Sequence, residues 1–489
     1  MADNVTNERL TDDAFHAQRE TIFREQLGRA PYDLDEALAF SLENAKRGTV
    51  AAVLQKAKAT GVAAVVPRAG VASWEGQRAL MQMLDEAGAA YLPITIDSLT
   101  RELQFAEAER RLASSTTEVS ALNGYPIVAH GIEANRRLIQ SFDKPVIVRA
   151  NAVDLRITAE TGLASGGTAF VSGPMYATLE YSKNTPLSEG ISKWQYIFRL
   201  MGIYSEAGVP MADDAVGFSQ SGTCSVPALM HVGVILDALI MASQGVKHIM
   251  LYSMLQGNIA QDVASCLAVE QLATEYLHKL GLDDVSTYVA SSDWNGAFPE
   301  RRPDAYGLIA ANVFAAAIAR APLNYVKTID EGIGVPTAES NADSIRVTRY
   351  LMNLIGRQAH AWRTPEIEFE LHLNLIEARA ILDAIIDLGD GDPVVGSIKG
   401  IGTGILDIPF SPNIHVKGNV LPIRDASGAV RFLDHGALPI PAEALEMERE
   451  RLSHRSADPS ALGYQDVVDD LQFLELDTFD PATGTEVKA

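Results

Sequence analysis

From about residue 60 onward, two patterns alternate along the chain. Short runs of β-branched and apolar residues end in a polar cluster, and each is followed by a longer stretch with apolar residues at helical spacing. The short runs are VAAVVPRAG (62–70), AAYLPITID (89–97), PVIVRAN (145–151), GTAFVSG (167–173), AVGFSQSG (215–222), HIMLYSMLQGN (248–258), STYVASSDWNG (286–296) and LNYVKTIDEG (323–332). Continuous apolar character, rather than strict alternation, is that of strands covered on both faces. The longer stretches, such as WEGQRALMQMLDEAG and VPALMHVGVILDALIMASQG, have helical periodicity. Several stop at a glycine just before the next run, as in EAG, SQG and KLG. Strand–helix alternation implies a parallel sheet. Eight such units over roughly 270 residues match a (β/α)8 TIM barrel, with a doubly wound open sheet as the second reading.

The flanks read differently. Residues 1–57 form an N-terminal helical extension that includes YDLDEALAFSLENAKR, and residues 58–392 form the barrel domain together with further helices after 340. After 393 the chain is rich in glycine, proline and short strands, with a hairpin signal at RDASGAVRF, and residues 393–489 read as a cap or interface segment. The glycines of GIGTG (400–404) read as a turn rather than a nucleotide loop. The last ten residues have no packing pattern and are expected to be loose.

Composition narrows the function. The net charge of −23 argues against a nucleic-acid binder and against an anionic membrane surface, both of which need clustered lysine and arginine. Two cysteines, Cys224 and Cys266, without CxxC spacing argue against a disulfide framework or a zinc ribbon. The polar N-terminus does not read as a signal peptide, and no apolar run is long enough for a membrane span, so a cytoplasmic protein is expected.

In a TIM barrel the reactive face lies at the C-terminal ends of the strands. The polar residues that end the runs are Arg68; Thr95 and Asp97, with Arg101 one turn later; Arg149 and Asn151; Ser172; Ser219 and Ser221; Gln256 and Asn258; Ser291, Asp293 and Asn295; and Lys327 and Glu331. An arginine at the end of a fully buried strand, as in PVIVR, needs an internal acidic partner or an external anion. Arg68, Arg101 and Arg149 together would make a claw for one or two carboxylates, since paired guanidinium–carboxylate contacts orient as well as bind. The competing reading is three separate structural ion pairs, for example Arg101 with Asp97. Lys327 at a strand end suits an anion site or a Schiff base. There is no GxSxG elbow and no HExxH motif, His130 and His435 are isolated, and the serines of SQSGT read as turn and cap residues.

Several long irregular stretches carry a more specific signal: PRAGVA (67–72), YLPITIDSLTR (91–101), LNGYPIV (122–128), DWNGAFP (293–299), VKTIDEGIGVPTAESNA (326–342) and LDIPFSPNIHVKGNVLPIRDASGAVRFLDHG (406–436). With these, and from FHAQRE onward, the chain resembles the large (epsilon) subunit of glutamate mutase, or methylaspartate mutase. The resemblance implies a TIM barrel working with adenosylcobalamin (coenzyme B12). The cobalt would be ligated through a separate small subunit with a DxHxxG motif, which this chain lacks, in a heterotetramer built on a homodimer of the large chain. It implies a radical rearrangement between glutamate and 3-methylaspartate, an isomerase reaction. It places the substrate claw on Arg68, Arg101 and Arg149, a pocket tyrosine on Tyr181, and adenosyl contacts on Lys327 and Glu331. Where the family lines the substrate site with a glutamine, a histidine, a glutamate and a tyrosine, this chain has Ile147, Ala150, Val171 and Ala177. That departure points to a different carboxylic acid, because a valine cannot accept a hydrogen bond from an ammonium. Two other classes remain: a Schiff-base lyase or aldolase using Lys327, and a non-catalytic assembly subunit.

Overall fold

The computed structural model describes residues 5–116, 119–218, 224–474, 479–480 and 485–486. Its centre is one parallel sheet of eight strands: β1 (Ala64–Pro67), β2 (Leu92–Thr95), β3 (Val146–Arg149), β4 (Ala169–Val171), β5 (Ala212–Ala215), β6 (His248–Met254), β7 (Ser286–Ser292) and β8 (Leu323–Val326). Strand order follows the chain around the ring, and β8 pairs with β1. Two backbone bonds, Ala90 N–H to the Val65 carbonyl and Thr95 N–H to the Ala69 carbonyl, each 3.0 Å, draw β1 and β2 together. The fold is therefore the TIM barrel that the alternation predicts, not an open doubly wound sheet.

Both faces of the strands are covered. Val66, Leu92, Ile94, Val146, Ile147, Val148, Leu251 and Leu323 are all fully buried, which is why these runs read as apolar without alternation. Between strands lie helices such as Trp74–Ala87, whose N-cap Ser73 accepts from Gly76 N–H at 3.1 Å, and the apolar Pro227–Ser243, buried nearly all round. Ahead of the barrel, helices Asp12–Leu27, Leu34–Ala45 and Val50–Thr60 pack on it. The first is pinned by Arg19, whose Nε donates to Glu160 Oε1 at 2.9 Å with both groups buried.

Two sequence expectations are corrected. The fifth strand is not 215–222 but Ala212–Ala215, the stretch ADDA, with Asp213 and Asp214 fully buried. Consecutive strand residues face opposite ways, so Asp214, which faces Arg149, points into the ring and Asp213 points to its outer side. GIGTG is not a turn in irregular chain: its first four residues close a helix, Pro393–Thr403, N-capped by Asp392 and stopped by Gly404 at φ 85°. Earlier in the same helix Gly396 allows close approach, since a Cβ there would collide with the Ile385 carbonyl. The hairpin falls where expected, as β9 (Leu421–Arg424) and β10 (Val430–Asp434). Ser219, Ser221 and most of the last ten residues lie outside the described residues. The helix after them begins at Pro227 with Val226, not a serine, at its N-cap.

Preceding the hairpin, Asp407 gathers a loop by accepting from Gly418 N–H and Asn419 N–H, both at 2.8 Å. That loop docks on the barrel mouth: Ser411 Oγ donates to the Leu179 carbonyl (2.5 Å), and Asn413 Nδ2 to the Thr178 and Thr185 carbonyls (3.0 and 2.9 Å).

Candidate active site at the barrel mouth

The C-terminal ends of β1 to β5, with Tyr252 of β6, surround a cavity of about 200 Å³. Arg68 follows β1 directly, Arg149 is the last residue of β3, and Arg101 closes a short helix, Ser98–Arg101, after β2. All three line this cavity, with Thr95, Asn123, Asn151, Ser172, Tyr176, Tyr181 and Tyr252. Arg101 is not paired with Asp97, because that carboxylate caps the short helix by accepting from Thr100 N–H at 3.0 Å. Arg101 Nη1 reaches only the Asn151 carbonyl, at 3.5 Å.

Arg149 faces an aromatic ring and a carboxylate. It is 6% exposed, its guanidinium lies 4.3 Å from the centre of the Tyr325 ring, and its Nη1 is 4.0 Å from Asp214 Oδ2. β4 separates the two strands; Val171 sits at the level of Asp214 in the strand register, so the pair spans it. Burial pushes the Asp214 carboxyl up to about 6, with the Arg149 charge opposing. The contact is too long for a hydrogen bond, and Arg149 Nη1 has no hydrogen-bond partner. Arg68 is held by hydroxyls: Nη2 donates to Tyr252 Oη and lies 3.4 Å from Ser292 Oγ.

Buried polar atoms are nearly always satisfied, yet four around this cavity are not: Thr95 Oγ1, Arg101 Nε, Arg149 Nη1 and Asn151 Nδ2. Orphans gathered at one cavity mark a site built for a polar ligand. Ser172 adds backbone strain. Its φ is 99°, a region that non-glycine residues avoid, while its Oγ donates to Asn151 Oδ1 at 2.7 Å. The next segment is fixed by Asp237, which accepts from Met175 N–H (3.0 Å) and Gly217 N–H (3.2 Å) and so anchors the short helix carrying Tyr176. Tyr176 and Tyr181 meet edge to face with hydroxyls 3.4 Å apart, and Tyr181 is 42% exposed at the rim.

Lys327 and Glu331 sit beside the cavity rather than in its wall. Lys327 Nζ is 3.7 Å from Glu331 Oε2 and 5.6 Å from the centre of the Phe298 ring, and its backbone N–H donates to Asp293 Oδ2 at 2.8 Å. Burial lowers the Lys327 amine below its ordinary value, with Glu331 opposing. Three other strand-end residues serve the framework. Gln256 accepts from Ser225 N–H, Asn258 caps the helix Ile259–Lys279, and Ser291 accepts from Asn324 Nδ2.

Comparison with known proteins gives this arrangement a family. Residues 45–477 match the family model described as "Methylaspartate mutase E chain (MutE)". The chain is 36% identical over 471 residues to the protein named glutamate mutase epsilon subunit of Desulfitobacterium hafniense (strain Y51), covering 96% of this chain and 97% of the relative. It is 35% identical over 470 residues to the protein of that name from Halobacterium salinarum, with the same coverage, and 32% identical over 470 residues to that of Escherichia coli O157:H7, again with the same coverage. The chain belongs to the methylaspartate mutase E chain family.

Within that family membership, the departures noted in the sequence take positions of different kinds. Ala150 and Val171 line the cavity; Ile147 and Ala177 are fully buried and are not among its lining residues. Sequence reasoning missed Asp214, Asn123, Tyr176 and Tyr252. Asp214 was hidden by the misplaced fifth strand, and Tyr252 precedes the polar end of its run. Asn123 and Tyr176 stood in stretches that were read only for resemblance or for Tyr181.

Proposed function

We propose that this chain is the substrate-holding subunit of an adenosylcobalamin-dependent carbon-skeleton mutase, an isomerase acting on a small carboxylic acid. The observation that carries this reading is the convergence of Arg68, Arg101 and Arg149 on one cavity at the mouth of a barrel, in a chain of the methylaspartate mutase E family. The arginines would pin the acid by its carboxylates, with Tyr181 at the rim. Pinning and exclusion of water are what radical chemistry asks of a protein, since little proton transfer is needed.

The chain's own residues fit the nucleoside end of such a cofactor. Lys327 and Glu331 are 3.7 Å apart, so neither is locked into a short bond and both can meet hydroxyl groups. Adenosylcobalamin, when bound, supplies the radical that removes a hydrogen atom from the substrate. The cobalt would be held by a small partner subunit with a DxHxxG motif, in a heterotetramer of two large and two small chains. Ile333, Val335, Phe410 and Ile414 are exposed apolar residues on loops beside the mouth, and offer that partner a surface. Residues 393–489 would act as cap and interface. No helix among the described residues is long and apolar enough to cross a membrane, and a cytoplasmic complex is proposed.

The test is co-expression with a DxHxxG subunit. Cobalamin uptake and a substrate-dependent paramagnetic signal are expected. The lowered Lys327 amine also suits a Schiff base. Borohydride trapping of a substrate on Lys327, with no cobalamin uptake, would replace the mutase by a lyase.

A further inference from the structure

We infer that the acid selected by this pocket is a short dicarboxylate bearing no amino group. The inference deepens the reading above and rests on it. The side chains lining the cavity include three guanidiniums and no carboxylate. Asp214, behind Arg149 at 4.0 Å and outside the lining, offsets one positive charge. Lys327 and Glu331 offset each other. Two cations are left without a counter-charge, which is the complement of two carboxylates. An amino acid with two carboxylates brings one net negative charge; a dicarboxylate without the amine brings two.

Steric and chemical detail point the same way. The ends of β3, β4 and β5 present Ala150, Val171 and Val216 to the cavity as an apolar wall. An ammonium against that wall would lose its hydration and gain no charged partner, whereas a hydrogen, methyl or methylene group there loses nothing. Asn151 and Ser172 are bonded to each other and both are neutral, so neither gives an ammonium a counter-charge.

The experiment is calorimetric titration of the full chain with glutarate, methylsuccinate, L-glutamate and 3-methylaspartate. Glutarate or methylsuccinate should bind at least tenfold more tightly than either amino acid. Val171→Glu, checked for folding by circular dichroism, should reverse that order. L-Glutamate binding as tightly as glutarate, binding of neither class, or L-glutamate binding that disappears in Asp214→Asn would each overturn the inference, the last by showing Asp214 as an ammonium partner. The wild-type ranking decides the matter even if Val171→Glu does not fold. Glutarate binding without turnover by the cobalamin-loaded complex would leave the substrate class standing and remove the mutase reading, so the two failures are distinguishable.

Discussion

Replacing Asp214 by asparagine should make the empty protein more stable at alkaline pH, not less. Asp214 is fully buried, and its carboxyl is raised from 3.8 to about 6 even with Arg149 nearby. A group whose folded value lies above its unfolded value favours folding when protonated, and that advantage is lost as pH rises through the folded value. Holding Asp214 ionised in the folded state therefore costs about 1.4 kcal/mol per unit of difference, on the order of 3 kcal/mol at pH 8. Asparagine has nearly the same shape and carries no charge, so Asp214→Asn should gain roughly that amount at pH 8. The gap should narrow as pH falls through 6 and vanish only about a unit below the unfolded value of 3.8, where the parent is protonated in both states. Thermal melts of parent and variant across this range measure it. A variant less stable than the parent at pH 8 would refute the reasoning, because the attraction to Arg149 would then outweigh the burial of the charge.

Other consequences are as direct. Arg101→Gln should leave the melting temperature nearly unchanged, because its single hydrogen bond is at the 3.5 Å limit, but should weaken dicarboxylate binding by about 2–4 kcal/mol in calorimetry, as for other desolvated charge pairs. Ser172→Gly should exceed Ser172→Ala in stability by about 1 kcal/mol, since both lose the bond to Asn151 and only glycine relieves a φ of 99°; equal melting temperatures would show that the backbone there is unstrained. Arg19→Met should leave the buried Glu160 without its charge partner and cost about 3–5 kcal/mol, read as a lower midpoint in chemical denaturation.

What the sequence revealed and what it hid follow from one physical distinction. Seven strands were legible because their interior and exterior neighbours are apolar, and burial on both faces writes itself as a run such as VIVR. The fifth was not, because ADDA is buried for reasons of charge and hydrogen bonding that no hydrophobicity pattern records. Asp213 bonds its own neighbour, the Asp214 N–H, and Asp214 faces Arg149 from two strands away. The arginines were legible because a barrel fixes where strand ends go. Their partners depend on which residues share a level of the ring, a relation set by register: Val171 beside Asp214 and Thr95 beside Arg149. The glycines of GIGTG misled for a similar reason. They end the helix Pro393–Thr403, with Gly404 as its left-handed stop, and Gly400 leaves room for the Leu406 side chain.

The way the claw is supported bears on how it works. An arginine clamped by a close carboxylate must give up that bond before it can hold a substrate. Here the supports are mostly neutral: the Tyr325 face under Arg149, and the Tyr252 and Ser292 hydroxyls at Arg68. They fix direction while leaving the positive charge unspent. The one carboxylate nearby, Asp214, stands 4.0 Å off, near enough to offset part of the repulsion between guanidiniums and too far to occupy Arg149's donors. Such a pocket is preorganised and, when empty, electrostatically unfavourable. An entering dianion meets donors already in place and relieves repulsion as well as making new bonds. Binding then stabilises the folded chain by RT ln(1 + [L]/Kd) whether or not the claw is rigid, because any cost of arranging the arginines is already contained in Kd. Preorganisation shows in affinity instead: Tyr252→Phe, which removes a hydroxyl support of Arg68 but no charge, should weaken dicarboxylate binding, and an unchanged affinity in calorimetry would show that the neutral supports do not hold the claw in place.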